Sequence, residues 1–306
     1  MKNTKIALAI ILVFVLLLVF FSCGSMGNIA DIGATIAESA GILSPTQADI
    51  LRKSGVAADS WSKAFEQITP EQEYYIGRAV GATVLSSYKL QTNNPAMTAY
   101  VNKICNALII NTDRPEIFNG YHVNILDSDE INAFATPGGH IFITRGLINC
   151  AETEDALASV IAHEIAHIQL QHGLKAIKNS RITKALSDTA NAGTAAAGYD
   201  LGQVTETFGI SVDEIVTTMM KNGYSQKQEF EADLTGMAFL SLAGYEPSAL
   251  LDMLEVLQKT QGSHPGGFNK THPTPAQRIT NAKKTVGNYK VPDTRSYRVQ
   301  RFAAVR

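Results

Sequence analysis

The chain has 306 residues, 45% of them hydrophobic, and a formal net charge of −2 at pH 7. This length and apolar content are enough for one large domain or two small ones. The nearly balanced charge excludes a general electrostatic attraction to nucleic acid, so no nucleic-acid partner is expected.

Residues 1–23 have the layout of an export signal. Lys2 and Lys5 precede an apolar run over residues 6–21, which is shorter than the roughly 20 residues of a comfortable membrane span. The junction after this run contains Cys23 and resembles a bacterial lipoprotein processing site, although the phenylalanines before it depart from the usual pattern. We therefore expect a lipid anchor at Cys23, with a cleaved soluble form or an uncleaved anchor as alternatives. No acidic residue follows Cys23 directly, which by analogy favours the outer over the inner membrane.

Residues 24–69 are rich in small side chains and are expected to form a tether and N-terminal helices. Thr69 followed by Pro70 is a typical helix start, and this helix is expected to reach about Tyr88. A second helix is predicted over residues 96–108. It contains Cys105, which can either pair with Cys150 or remain a buried free thiol.

A compact β region follows. Residues 121–126 alternate in polarity, and residues 132–147 give two short strands around a Pro-Gly-Gly turn. A small antiparallel sheet is therefore predicted. Its edge could bind a substrate backbone as an added strand, whereas a purely structural hairpin is the alternative. The candidate edge consists of Asn132, Ala133, Phe134 and Ala135.

The central motif is His163-Glu164-x-x-His167, the signature of a zinc hydrolase helix. Residues four apart lie on one face of an α-helix, so both imidazoles can reach a single ion. A catalytic zinc site leaves one position for water, and Glu164 is placed to act as general base on that water. Thr153 is the predicted N-cap and Gly173 the predicted stop of this largely apolar, buried helix.

A second motif begins at Ser225, whose spacing to Gln228 fits a capping box. Glu229 and Asp233 follow on one face of the predicted helix. One carboxylate can be a third zinc ligand, while the other accepts a hydrogen bond from a ligand histidine. Glu231 lies roughly 200° around the helix from Glu229 and cannot share that face.

Three further segments are less specific. Residues 190–200 are rich in small side chains and are expected to form a lid or insertion. His272 and Pro273 lie in a predicted loop before another helix. Residues 291–306 form a basic C-terminal tail that is expected to be solvated rather than a nucleic-acid site.

Together these residues resemble the HtpX/CAAX-prenyl-protease/BepA-type zinc metalloendopeptidase family. The matching pieces occur in the family's order over residues 71–286: the strand motif 132–135 with Pro137-Gly138-Gly139 and Arg145-Gly146-Leu147, His163-Glu164-x-x-His167, Glu229-x-x-x-Asp233, and His272-Pro273 with Arg278. Beyond the N-terminal segment no stretch is apolar enough for a span, and no 34-residue repeat array is present. The resemblance therefore points to small periplasmic BepA-like or LoiP-like lipoprotein peptidases.

The resemblance implies residue roles. His163, His167 and Glu229 would bind one Zn²⁺ per chain, Glu164 would be the catalytic base, and Asp233 would orient a ligand from the second layer of residues. In BepA-like members a loop histidine can occupy the open zinc position. His272 is the candidate for that role, with His264 as the alternative. His140 and His172 match no motif position and are expected to be structural or exposed.

The expected fold is α+β, a mainly helical gluzincin-type metallopeptidase domain over residues 70–290 with the small sheet beside the zinc helix. The expected activity is cleavage of misfolded or misassembled cell-envelope proteins in the periplasm, in contact with the outer-membrane assembly machinery. The alternative is an assembly factor that binds outer-membrane proteins by strand addition and uses zinc structurally. The presence of Glu164 favours the enzyme. Other divalent ions can also occupy a site of this composition.

Overall fold

The structure is a computed structural model that describes residues 26–65, 67–196, 216–217, 219, 223–260, 268–272 and 275–305. The predicted signal peptide with Cys23, residues 197–200 of the predicted lid, and His264 lie outside this part of the chain. Two compact units are distinguished by their internal contacts. One comprises Met1–Gln67 with Ile177–Ile210, and the other Ile68–Ala176 with Ser211–Arg306.

The first unit is helical where the structure describes it. Its elements are α1 (Met26–Ser39), α2 (Pro45–Phe65) and the residues of α7 (His172–Ala196) from Ile177 onward. Ser60 on α2 donates a 2.5 Å hydrogen bond to Asp188 on α7. Because α7 continues to Ala196, residues 190–196 of the predicted lid are regular helix.

The second unit contains the candidate site. Its helices are α3 (Pro70–Ser87), α4 (Pro95–Ile109), α5 (Arg145–Cys150), α6 (Glu154–Gln169), the first turn of α7, α8 (Gln226–Leu242), α9 (Ala249–Thr260), α10 (Phe268–Thr271), α11 (Pro275–Ala282) and α12 (Arg295–Ala303). Thr69 caps α3 as predicted, and its hydroxyl accepts a hydrogen bond from the Gln72 backbone N–H at 3.2 Å. The mainly helical α+β architecture predicted from the sequence is confirmed.

The sheet has three strands in the order β1 (His122–Leu126), β3 (His140–Thr144), β2 (Ala133–Ala135). The hairpin partners β2 and β3 are antiparallel as predicted, but β1 pairs with β3 in parallel. The expectation of a purely antiparallel sheet is therefore wrong. β1 and β2 are not neighbours in the sheet. β3 lies between them and runs in the same direction as β1.

Helix α6 is the centre of the second unit. Every residue from Glu154 to Ile168 is buried, because α4, α8, α9 and β2 all pack against this helix. Burial of a side chain such as Leu157 or Ile161 contributes about 1.5–3 kcal/mol to the free energy of unfolding. The capping hydroxyl of Thr153 accepts a hydrogen bond from the Ala156 N–H at 3.1 Å, as predicted.

The predicted stop of α6 at Gly173 is wrong. The helix ends at Gln169, and the chain turns at Gln171, whose φ of 55° is left-handed. Gly173 already belongs to α7. Its small size has a packing reason instead, since a Cβ there would lie 3.1 Å from Cγ of Pro137.

The C-terminal residues are not a solvated tail. They form α12, whose Arg298 and Phe302 are buried. Nε of Arg298 donates to Oδ2 of Asp155 at 2.8 Å, and Nε of Arg301 donates to Oε2 of Glu154 at 2.6 Å. The basic side chains therefore neutralise the buried acidic first turn of α6.

Cys105 and Cys150 are free thiols in the structure, so the disulfide alternative is not realised. Burial raises the pKa of Cys105 to about 12, which keeps this thiol protonated and unreactive near neutral pH. Within the described ranges, no helix combines the length and apolar character needed to cross a bilayer.

Candidate metal centre

Helix α6 presents two imidazoles to one point. His163 and His167 are one helical turn apart, and their Nε2 atoms are 3.0 Å from each other. Both side chains are buried. Glu164 follows His163 directly, and neither of its carboxylate oxygens has a hydrogen-bond partner among the residues that the structure describes. Burial raises the pKa of Glu164, so this carboxyl group binds a proton more readily than an exposed glutamate does.

Helix α8 supplies the facing carboxylates. The predicted capping box of Ser225 and Gln228 is present and starts the helix so that Glu229 and Asp233 face α6. Oε2 of Glu229 lies 3.5 Å from Nε2 of His163, and Oε1 lies 3.4 Å from Nε2 of His167.

His272, just after α10, completes the cluster. Its Nδ1 is 3.3 Å from Nε2 of His163 and 3.0 Å from Oε1 of Glu229. Four side chains each contribute one nitrogen or oxygen atom to the cluster: His163, His167, Glu229 and His272. These four atoms all lie within 4.8 Å of one another. Of the two loop histidines considered from the sequence, His272 lies at the cluster, and His264 is outside the described residues.

These separations fit a bound metal ion. Atoms bonded at about 2.0–2.1 Å in a tetrahedral arrangement are about 3.3 Å from each other, close to the distances observed here. Oε2 of Glu229 is fully buried and lies 3.1 Å from Nη1 of its ion-pair partner Arg278, but within the described part of the chain it makes no contact with hydrogen-bond geometry. A cation at the centre of the cluster would satisfy this oxygen, so these residues could hold a metal ion.

Arg278 on α11 is the counter-charge of the site. It is buried, donates to Asp233 from Nε and Nη2 at 2.8 and 2.6 Å, and places Nη1 3.1 Å from Oε2 of Glu229. Burial opposes ionisation of Glu229, but the electrostatic influence of the neighbouring His272 and Arg278 side chains and hydrogen bonds from His163 and His167 outweigh it and hold the pKa of Glu229 well below its usual range. The Arg278 charge likewise lowers the pKa of Asp233 against the effect of burial. Both carboxylates are therefore ionised at neutral pH.

Comparison with known proteins shows the family of the chain. The family model of peptidase family M48 matches residues 95–286 of the sequence, and this range includes all the residues that meet at the cluster. The chain belongs to peptidase family M48.

Several known proteins are similar to this chain. The chain is 29% identical over 241 residues to the beta-barrel assembly-enhancing protease of Escherichia coli, which covers 77% of this chain and 47% of that protein. It is 26% identical over 222 residues to the mitochondrial metalloendopeptidase OMA1 of Schizosaccharomyces pombe, covering 71% and 62%. It is 29% identical over 189 residues to the metalloprotease LoiP of Escherichia coli, covering 60% and 69%. The chain thus spans about half the length of the beta-barrel assembly-enhancing proteases that it matches.

The remaining predicted positions of this M48 member are also near the cluster. Oδ1 of Asp233 lies 3.0 Å from Nδ1 of His163. This nitrogen is on the edge of the His163 ring that faces away from His167. The strand β2 is at the edge of the sheet, but Asn132 to Ala135 are buried. The segment that carries His272 contacts the chain just before β2, because the Phe268 N–H donates to the Ile131 carbonyl at 2.8 Å.

Three side chains at the site were given no role from the sequence. Arg278 was noted only as a motif residue. His172 was expected to be structural or exposed; it is buried, with Nδ1 2.9 Å from Nδ1 of His167. Tyr224 stacks on the His167 ring with centroids 4.1 Å apart. The local sequence contains no signal for these contacts, because each depends on how separate helices meet.

Proposed function

We propose that this chain is a zinc-dependent metalloendopeptidase that hydrolyses peptide bonds of misfolded or misassembled proteins in the bacterial cell envelope. The observation that carries the proposal is the position of Glu164. Its two buried carboxylate oxygens have no hydrogen-bond partner among the described residues, and it directly follows a histidine of the cluster. A general base that must exchange protons with water and substrate has a reason to be left unpaired in this way.

The proposed roles of the residues follow from their contacts. His163, His167 and Glu229 hold the zinc ion, which when bound lowers the pKa of water and polarises a carbonyl group. Glu164 accepts a proton from the attacking water and delivers a proton to the leaving amide nitrogen. Asp233 accepts a hydrogen bond from Nδ1 of His163 and thereby fixes this ring.

The edge of β2 is the proposed substrate-binding strand. It is one of the two outer strands of the sheet and packs against α6. Ala135 lines the same cleft as His167 and Tyr224, so a peptide added along this edge would pass beside the cluster. The backbone of residues 132–135 would align the scissile bond.

The resting state is proposed to be latent. His272 lies among the three proposed zinc-binding side chains. Its Nε2 is 3.6 Å from Oε1 of Glu164. The segment 268–272 also covers the approach to β2, through the contact of Phe268 with Ile131 and that of the Thr271 hydroxyl with the Asn132 side chain at 3.4 Å. Release of this one segment would therefore free both the fourth position at the zinc ion and the substrate strand.

The proposed location is the periplasmic side of the outer membrane, with a lipid anchor at Cys23. The support comes from the export-signal layout of residues 1–23 and from relatives whose names refer to β-barrel assembly and to a bacterial metalloprotease. Unfolded or misassembled outer-membrane proteins are the proposed substrates, and their assembly machinery is the proposed partner.

A cleavage assay in a protein that lacks the His272 side chain tests the activity. Purified His272→Ala protein is compared with the double variants that add Glu164→Gln or Glu152→Gln, using casein as substrate and measuring bound zinc in each. We expect Glu164→Gln to keep zinc and reduce the cleavage rate by about 10²-fold or more, because the proton acceptor is lost. Glu152 is exposed before α6 and serves as the matched control. Full activity of the Glu164→Gln variant would contradict the proposal. Zinc binding without cleavage by any variant would favour the assembly-factor alternative.

A further inference from the structure

The Nδ1 atoms of His163 and His167, the two histidines of α6 in the cluster, have different partners. Nδ1 of His163 faces a carboxylate directly, since it lies 3.0 Å from Oδ1 of Asp233. Nδ1 of His167 faces a second imidazole instead, that of His172, at 2.9 Å. The far side of the His172 ring continues the chain of contacts, because its Nε2 lies 3.3 Å from Oε2 of Glu231.

The positions of the hydrogen atoms in this chain follow from elementary bonding. His167 presents Nε2 to the cluster, so a metal-binding, neutral His167 carries its hydrogen atom on Nδ1. That N–H can donate only if Nδ1 of His172 is an acceptor. A neutral His172 then carries its own hydrogen atom on Nε2, where the carboxylate of Glu231 accepts it. Every contact thus has one donor and one acceptor.

The backbone places His172 for this contact. On a continuous helix a residue five positions after His167 would point to another face. The left-handed Gln171, with a φ of 55°, breaks the helix and starts α7 at His172. A non-glycine residue is uncommon in this conformation, and the strain is tolerated where the surrounding structure requires the geometry.

We infer that His172 and Glu231 are positioning residues that act through His167, fixing the orientation and hydrogen placement of its ring for zinc binding. This inference depends on the proposed zinc site. Glu231 lies on α8 together with Glu229 and Asp233. Glu229 belongs to the cluster itself, and Asp233 contacts His163. Glu231 acts on His167 through His172. Glu231 lies roughly 200° around the helix from Glu229, so it contacts His172 on another side of α8.

Zinc affinity is the direct test. The dissociation constant is measured by competition with a chromophoric chelator for wild type, His172→Phe, Glu231→Ala, Glu231→Gln and Lys227→Ala. Loss of a partner of this kind weakens metal binding by about 10–100-fold, and we expect His172→Phe in that range. Glu231→Ala is expected to weaken binding less, and Glu231→Gln to restore affinity toward wild type, because its amide oxygen still accepts the hydrogen bond.

Lys227→Ala is the matched control. Lys227 is exposed and lies 3.9 Å from the other carboxylate oxygen of Glu231, so this variant removes a surface ion pair but leaves the contact with His172. Its zinc affinity should equal that of wild type. The thermal midpoint with and without zinc provides a second readout. A positioning role reduces the zinc-induced increase in the midpoint, whereas a merely structural role lowers the midpoint of the metal-free protein and leaves that increase unchanged.

The outcomes separate the inference from the proposed function. Failure of the folded wild-type protein to bind zinc would overturn both. Zinc binding by wild type together with unchanged affinity in His172→Phe and Glu231→Ala would overturn only the inference. Glu231 is partly exposed, so its variants keep the test valid if His172→Phe does not fold. Equal weakening by Lys227→Ala and Glu231→Ala would overturn the role of Glu231.

Discussion

Arg278 forms a two-point hydrogen bond with Asp233, and both side chains are completely enclosed. The same guanidinium reaches Glu229 with its remaining nitrogen at 3.1 Å. One positive charge from α11 is thus shared by the two carboxylates of α8 that lie closest to the histidines. The stability of the candidate metal centre therefore depends on a helix that follows the two signature motifs in the chain.

Replacement of Arg278 by Ala should be strongly destabilising. It leaves two buried carboxylates without their counter-charge, and removal of one partner from a buried ion pair costs about 3–5 kcal/mol. Urea unfolding of the chelator-treated protein measures this loss separately from zinc binding. Thr280→Ala on the exposed side of the same helix is the control and should change the free energy of unfolding by less than about 0.5 kcal/mol. A similar small change for Arg278→Ala would show that the pair contributes no net stability.

The contact of α12 with α6 gives a second prediction. Arg298 is buried against Asp155 and also donates to the Gly244 carbonyl at 3.0 Å. Arg298→Ala should therefore lower the free energy of unfolding by about 3 kcal/mol or more. Arg295 on the same helix is exposed, and Arg295→Ala should have almost no effect. Equal stabilities of the two variants, measured by urea unfolding, would mean that the contact of Arg298 with Asp155 does not stabilise α6.

Gly77 on α3 allows a third prediction. A Cβ at this position would lie 1.7 Å from the Pro137 carbonyl oxygen, so α3 must move away from the turn that joins β2 and β3. Gly77→Ala should destabilise the protein by about 3 kcal/mol and slow cleavage, because the turn adjoins the proposed substrate strand. Gly287→Ala is the control, since nothing lies within 4 Å of a Cβ there. A Gly77→Ala protein as stable as the control would contradict the close packing of α3 on this turn.

Much of the site could be predicted because its residues lie on two regular helices. The four-residue spacing of His163 and His167, and of Glu229 and Asp233, places each pair on one helical face whatever the rest of the fold does. The resemblance to a known family then indicated that the two faces meet and that His272 joins them. In the structure these five side chains lie close together.

The remaining contacts depend on long-range packing. The role of His172 requires the turn at Gln171, which no glycine marks. Arg298 was assigned to a solvated tail because arginine is usually exposed, although Arg298 and Phe302 are four residues apart and share one helical face. The parallel pairing of β1 required knowledge of which strand fills the middle of the sheet. Hydrophobic patterns predict which residues are buried but not the order in which strands pair.

We propose above all that a zinc ion is held by His163, His167 and Glu229 and capped by His272. The most direct measurement combines zinc content with the rate of casein cleavage for wild-type protein and His272→Ala. We predict one zinc ion per chain in both proteins, slow cleavage by wild type, and clearly faster cleavage by the variant, because loss of the His272 imidazole opens the fourth position. A folded wild-type protein without zinc, or a zinc-loaded His272→Ala protein that cleaves more slowly than wild type, would contradict the account.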